Sequence, residues 1–163
     1  MYDKEIWADE RKIYMRAVIQ RVTNASCRVD GNVTGEIEKG FLIFLGVGED
    51  DNDADLDYIV KKTLGLRVFE DEDEKMNLSL SDVGGSVLAI SQFTLYGDVR
   101  KGNRPSFTSA APPDMGNDYF EKYKAKLKEA GLKVESGIFG ADMKISLLND
   151  GPVTILLDSK KLF

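Results

Sequence analysis

The chain has 163 residues, a net charge of −6, a single cysteine and no histidine. That length fits one domain with a substantial core, and 42% hydrophobic with 31% charged residues is ordinary for a globular protein. Without histidine, Ser-His-Asp and Cys-His catalysis and His-ligated metals are excluded within this chain, and Cys27 alone builds neither an internal disulfide nor a zinc site.

No apolar run approaches the roughly 18 residues of a membrane helix. The first fourteen residues are charged and mixed, unlike a signal peptide. A cytoplasmic, reducing home without membrane attachment is the expectation. The acidic balance argues against tight non-specific nucleic-acid binding. Charge is uneven, however. Carboxylates crowd 49–57 and 70–74, while cations gather at 16–28, at Arg100, Lys101 and Arg104, and at 122–128. A local basic face can therefore engage one nucleic-acid end, although the last group also reads as a solvated helix face.

Residues 1–14 show no clear period and read as an extension outside the fold. The domain is expected over 15–163, opening at Met15. Strands are predicted over 16–22 and 27–29, with a turn at Asp30-Gly31-Asn32 and a return strand over 33–37. Residues 41–47 form a continuous apolar run between glycines, as in a strand buried on both faces. Gly46-Val47-Gly48 lacks the third glycine of a dinucleotide loop. The acidic run from Asp51 lacks the glycine and the glutamate of a calcium loop, with Leu56 and Lys62 in those places. It reads instead as the start of a helix, with Leu56, Ile59, Val60, Thr63 and Leu64 on one face and Gly65 at its end.

Further on, 66–69 reads as a short strand, 70–75 as a charged loop, and Gly84-Gly85 as a turn. A long strand is predicted over 86–96. The stretch 97–113 is a loop rich in Gly, Pro, Ser and Asn, long enough to suggest function. A second helix is expected over 114–130, with Tyr119, Phe120, Tyr123 and Leu127 as its apolar stripe and Gly131 as its stop. A hairpin is predicted between 133–139 and 143–148. Asn149-Asp150-Gly151-Pro152 then reads as a stiff turn before a last strand over 153–157. About nine strands and two helices make an α+β fold. The expected architecture is a mostly antiparallel sheet or open barrel with both helices packed on one side.

Two stretches carry polar groups that chemistry can use. In Ser91-Gln92-Phe93-Thr94, an apolar strand turns polar at its end, as strands do where they meet a cleft. The same residues also suit the plain end of a core strand, and Thr94 is a weak nucleophile with no histidine to activate it. The loop from Arg100 to Phe107 joins three cations, Pro105 and an aromatic ring, a set that suits phosphate and base. Its spacing is not that of a phosphate loop, since Asn103 stands where lysine belongs.

Taken in order and spacing, the segment from Met15 to Val22, Ser91-Gln92-Phe93-Thr94-Leu95, Arg104-Pro105-Ser106-Phe107 and Asn149-Asp150-Gly151-Pro152-Val153-Thr154 resemble the D-aminoacyl-tRNA deacylase family. The likeness runs from Met15 to about Asp158, and residues 1–14 have no counterpart in the family's usual start. The resemblance implies a homodimeric cytoplasmic hydrolase whose active site lies near the subunit interface; no cofactor and no metal ligand are assigned. It would cleave the ester joining a D-amino acid, or mischarged glycine, to the 3′-terminal adenosine of tRNA. Ser91, Gln92, Phe93 and Thr94 would line the active site. Gly151 and Pro152, joined by a cis peptide, would enter the partner's pocket and face the substrate's α-carbon. Arg21 would brace that loop, with Asn149 supporting it. Two mechanisms then stand: attack by Thr94, or hydrolysis led by backbone groups and the tRNA's ribose hydroxyl, with Thr94 only positioning. A non-catalytic dimeric RNA-end-binding or adaptor module on the same fold is the alternative from another class. An esterase for small D-amino-acid esters is a third.

Overall fold

The computed structural model describes residues 14–163. Residues 1–13, part of the expected extension, lie outside the described residues. Tyr14 is described, and its carbonyl accepts a hydrogen bond from the Tyr96 hydroxyl at 2.8 Å. Met15, directly after it, is fully buried.

Everything is arranged on β1, Arg16–Val29, one uninterrupted strand where the sequence suggested two. Its first half pairs antiparallel with β3, Gly40–Gly46, and its second half with β2, Asn32–Ile37. The β1–β2 turn uses Asp30 and Gly31, both at positive φ, as tight hairpins require. β3 is buried along almost its whole length, as its apolar run predicts. The other edge of β1 carries β8, Lys144–Asp158, along nearly its full length.

The chain leaves β3 through helix α1, Asp53–Gly65. Asn52 caps it, accepting from the Ala54 amide at 2.9 Å, while the Asp55 carboxylate accepts from the Asn52 amide at 2.9 Å. The acidic run is thus a capping box and its surroundings. Asp51 beside it is buried. One of its oxygens accepts the Gly48 amide at 2.7 Å, and the other has no partner among the described residues. Burial, aided by the charges of Asp55 and Asp158, pushes the Asp51 carboxyl up to about 7.

A small two-stranded sheet follows, β4 (Phe69–Glu70) with β5 (Met76–Leu78). Here the strand expected over 66–69 is shifted and much shorter, and β5 is additional to the predicted elements. β6, Ser86–Ser91, then lies parallel to β3. Helix α2, Pro113–Glu129, leads into β7, Lys133–Ser136, which lies parallel to β6. The expected hairpin between 133–139 and 143–148 therefore does not form: β7 and β8 pair with different strands. The sheet is mixed but mostly antiparallel, as expected, with β3–β6 and β6–β7 as its parallel pairs; its order is β2-β1-β3-β6-β7 with β8 beside β1. Each parallel pair is bridged by a helix, as parallel neighbours require.

The sheet curls until β2 meets β7. A Cβ on Gly35 would lie 2.8 Å from the Ser136 carbonyl oxygen, so only glycine permits that approach. Two apolar cores result. Ile19, Ile43 and Leu45 on one face pack with Leu56 and Ile59 of α1 and Phe120 and Leu127 of α2. Val22, Cys27, Leu42, Leu88 and Ile90 fill the other. The α+β class and the placing of both helices on one side follow from this arrangement. The helices also meet through a buried Thr63–Tyr123 hydroxyl pair at 2.8 Å.

Candidate active site

The predicted strand over 86–96 ends early. Pairing to β3 stops at Ser91, the Gln92 amide still reaches the Leu45 carbonyl at 2.8 Å, and the chain then winds into a 3-10 turn over Phe93–Tyr96. Gly46 makes this possible. A Cβ there would stand 2.8 Å from the Tyr96 ring and 3.2 Å from the Gln92 carbonyl oxygen. Once the strand winds up, side chains from Phe93 on no longer alternate between two faces as they would along a strand.

Beside this turn lies a cleft of about 590 Å3. Ser91, Gln92 and Phe93 line it, with Phe107 and Ala110 from the following loop and Gly116 near the start of α2. The opposite wall runs from Phe139 to Ile145. Phe93 is half-exposed at the mouth and meets Phe107 edge to face, centroids 5.1 Å apart. Among the lining residues, Asp142 alone is ionisable. The cleft is thus apolar and nearly neutral, of a size that suits a nucleoside-sized ligand.

Thr94 is not part of the lining. Its hydroxyl is exposed and accepts a hydrogen bond from the Gln92 side-chain amide. The turn's i→i−3 bonding begins with the Leu95 amide on the Gln92 carbonyl at 3.4 Å. The amides of Phe93 and Thr94 precede it and have no partner within the turn. No cluster of three His, Cys, Asp or Glu side chains suited to a metal occurs among the described residues.

Asn149, Asp150, Gly151 and Pro152 do not make a turn between two strands. They form a bulge inside β8, and both flanks pair with β1. Gln20 faces Thr154 and Val22 faces Asn149, so 150–153 loop out opposite Arg21. The Gly151–Pro152 peptide is cis, and Gly151 has φ +152°. A Cβ on Gly151 would lie 2.6 Å from the Val153 amide nitrogen, so this backbone path demands glycine.

Two side chains fasten the bulge. Arg21, buried, donates from Nε to the Asp150 carbonyl at 2.8 Å and from a guanidinium nitrogen to the Val68 carbonyl. Asn149 spans the bulge: its Oδ1 accepts the Val153 amide at 2.8 Å, and its Nδ2 donates to the Val153 carbonyl at 3.0 Å and to Gln20 Oε1 at 3.1 Å. Gly151 and Pro152 are exposed and do not line the cleft of their own chain. The structure thus gathers Ser91, Gln92 and Phe93 in one place, Arg21, Asn149, Gly151 and Pro152 in another. Sequence reasoning missed Gln20, Ala110, Gly116 and Phe139, which are small, neutral or apolar and carry no chemical signature.

Fold and site together define a cleft-bearing α+β domain whose second polar feature is a fastened backbone bulge. A family model described as D-Tyr-tRNA(Tyr) deacylase matches residues 18–158, and the chain belongs to that family. The chain is 58% identical over 149 residues to a D-aminoacyl-tRNA deacylase of Koribacter versatilis (strain Ellin345), covering 91% of this chain and 100% of that one. It is 57% identical to one from Thermosipho africanus (strain TCF52B) and 55% to one from Clostridioides difficile (strain 630), with the same coverage. Among solved structures, the c-Myc DNA Unwinding Element Binding Protein superposes with a TM-score of 0.82 at 39% identity, covering 88% of this chain and 97% of the other. A probable eukaryotic D-amino acid tRNA deacylase superposes at 0.77 with 18% identity over 88% and 98%, and supports the fold alone.

Proposed function

We propose that this protein hydrolyses the ester joining a D-amino acid, or mischarged glycine, to the 3′-terminal adenosine of tRNA, and leaves L-aminoacyl-tRNA intact. What carries the reading is the near-full-length identity to proteins of that name, in a chain that also keeps a neutral cleft and a fastened Gly-Pro bulge.

The working unit is a homodimer in the cytoplasm. Gly151 and Pro152 stand exposed, away from their own cleft, on a strand that pairs with β1 alone among the described residues. Leu148 and Leu156 of that strand are also exposed, an apolar face that a second copy covers. Pairing through β8 carries each bulge into the partner's cleft. There the main chain faces the substrate's α-carbon. An L side chain collides with it, whereas a D side chain or a hydrogen does not. Side-chain pockets discriminate by only about 1–3 kcal/mol per methylene. A wall of fixed main chain rejects by overlap, and broad tolerance of D side chains follows.

Hydrolysis is led by backbone groups. Water adds to the ester carbonyl, the amides of Phe93 and Thr94 hold the developing oxyanion, the acyl–oxygen bond breaks, and the ribose oxygen leaves with a proton. One such donor is worth roughly 10²–10³ in rate. Attack by Thr94 lacks a base: its hydroxyl faces the Gln92 amide, which takes up no proton. Thr94 positions Gln92 and the turn instead.

Following ester loss from D-tyrosyl-tRNA, glycyl-tRNA and L-tyrosyl-tRNA tests the reading. Fast loss of the first two and persistence of the third is expected. Survival of all three esters supports the alternative, a non-catalytic RNA-end-binding module.

A further inference from the structure

We infer that the exposed loop tip over 99–105, which rises beside the cleft, is the contact for phosphates of the tRNA acceptor end, with Lys101 and Arg104 as its phosphate-binding side chains. This rests on the proposed tRNA substrate and names the surface that holds it.

The cleft itself has no cation to offer, since Asp142 is the one ionisable residue in its lining. An RNA end that enters brings phosphates with it, and these need cations at the rim. The loop supplies them. Its base is closed by a reciprocal backbone pair, the Asp98 amide on the Ser106 carbonyl at 2.8 Å and the Ser106 amide on the Asp98 carbonyl at 3.0 Å. Phe107, next in the chain, packs against Phe93 at the mouth of the cleft. The tip is therefore tied directly to the cleft's edge.

Three cations and one carboxylate lie in this loop. Asp98 takes up Arg100 through a two-point contact at 2.9 and 2.7 Å, and that contact holds the Asp98 carboxyl down to about 2. Arg100 is thereby spent on shaping the tip. Lys101 and Arg104 are exposed and have no carboxylate partner among the described residues. At the far end of the loop, the Glu49 amide binds the Ser109 carbonyl at 3.0 Å, which places the acidic Glu49 and Asp50 there. Phosphate is repelled from that end and drawn to the tip. A chain of net charge −6 then meets a polyanion by one small cationic point, which fits the capture of an end rather than of a whole duplex.

The test compares D-tyrosyl-tRNA with D-tyrosyl-adenosine, which lacks the flanking phosphates, using the full chain carrying Lys101→Ala and Arg104→Ala together. On tRNA, KM is expected to rise by roughly tenfold with kcat retained. The slope of log KM against log salt should fall by about 0.7–0.9 for each phosphate that is no longer neutralised. On D-tyrosyl-adenosine, kcat/KM should stay within twofold of wild type, which also establishes that the variant is folded, and Lys101→Arg with Arg104→Lys should restore binding of tRNA. An unchanged KM and salt slope on tRNA, in a wild type that cleaves it, overturns this assignment alone. Equal losses on both substrates also overturn it, because the loop then serves the cleft's architecture. A wild type that cleaves neither substrate overturns the proposed function, and this inference with it.

Discussion

Arg21 and Asp150 lie 129 positions apart in sequence, yet the Arg21 Nε–H meets the Asp150 carbonyl at 2.8 Å. The guanidinium is buried and also reaches the Val68 carbonyl, so it ties the β8 bulge to the segment leading into β4. Breaking the second bond leaves the buried Val68 carbonyl without this donor, at a cost of about 1–3 kcal/mol, and breaking the first frees the exposed bulge. Arg21→Lys keeps the charge but not the fork. It should lower kcat/KM for D-tyrosyl-tRNA by roughly 10- to 100-fold while Tm falls by a few degrees. Unchanged kinetics would show that the bulge holds its place without this brace.

Asn149→Ala removes four hydrogen bonds that fasten the same bulge. Its effect should appear mainly in selectivity. A loosened main chain yields to an L side chain, so the ratio of D- to L-tyrosyl-tRNA cleavage should drop by at least about tenfold, equivalent to roughly 1.4 kcal/mol of lost discrimination. A fall in both rates at constant ratio would instead assign Asn149 to general stability.

Thr94→Ala deletes a hydroxyl that is exposed and faces the Gln92 amide. The deacylation rate should stay within about tenfold of wild type, the scale of one modest hydrogen bond. Single-turnover assays on D-tyrosyl-tRNA decide the matter. Loss by several orders of magnitude would restore Thr94 as the nucleophile.

Asp51 makes stability depend on pH. Its ordinary value is 3.8, and burial raises it to about 7 in the folded chain. Between those values the folded state holds a proton that the unfolded state has released, so this group's contribution is full below pH 3.8 and is lost as pH rises through 7. Asp51→Asn keeps an acceptor for the Gly48 amide and never ionises. It should stabilise the chain at pH 8 by on the order of 2 kcal/mol, about 4–8 °C in Tm. At pH 4 it should be near neutral. Thermal melts at the two pH values measure this, and the same shift at both would rule out titration of Asp51.

Which parts of this molecule are legible in the sequence follows from how local their causes are. The capping box at Asn52, the apolar stripes of both helices and the buried run of β3 depend on neighbours a few residues away, and periodicity finds them. The bulge at 150–153 has turn composition, but nothing near it reveals that both flanks pair with one distant strand. Strand alternation fails at Phe93 because Gly46, far off in sequence, leaves room for the Tyr96 ring. The parallel order of β3, β6 and β7 is within reach of the sequence, since each pair encloses a helix, the pattern that forces a crossover. Residues of the site with hydroxyl, amide or guanidinium groups are visible as candidates. Ala110, Gly116 and Phe139 act by shape and leave no such trace.

Handedness is judged, in this reading, by main chain that one protomer lends to the other. Mixed dimers read this out. One chain carries Gly151→Ala with Pro152→Ala, which spoils its bulge. The other carries Ala110→Trp, which fills its cleft. Alone, the first variant should cleave L- as well as D-tyrosyl-tRNA, and the second should cleave neither. Their purified heterodimer should cleave the D ester and spare the L ester, because its one open cleft receives the one intact bulge. A heterodimer that cleaves both esters as the first variant does would contradict this exchange between protomers.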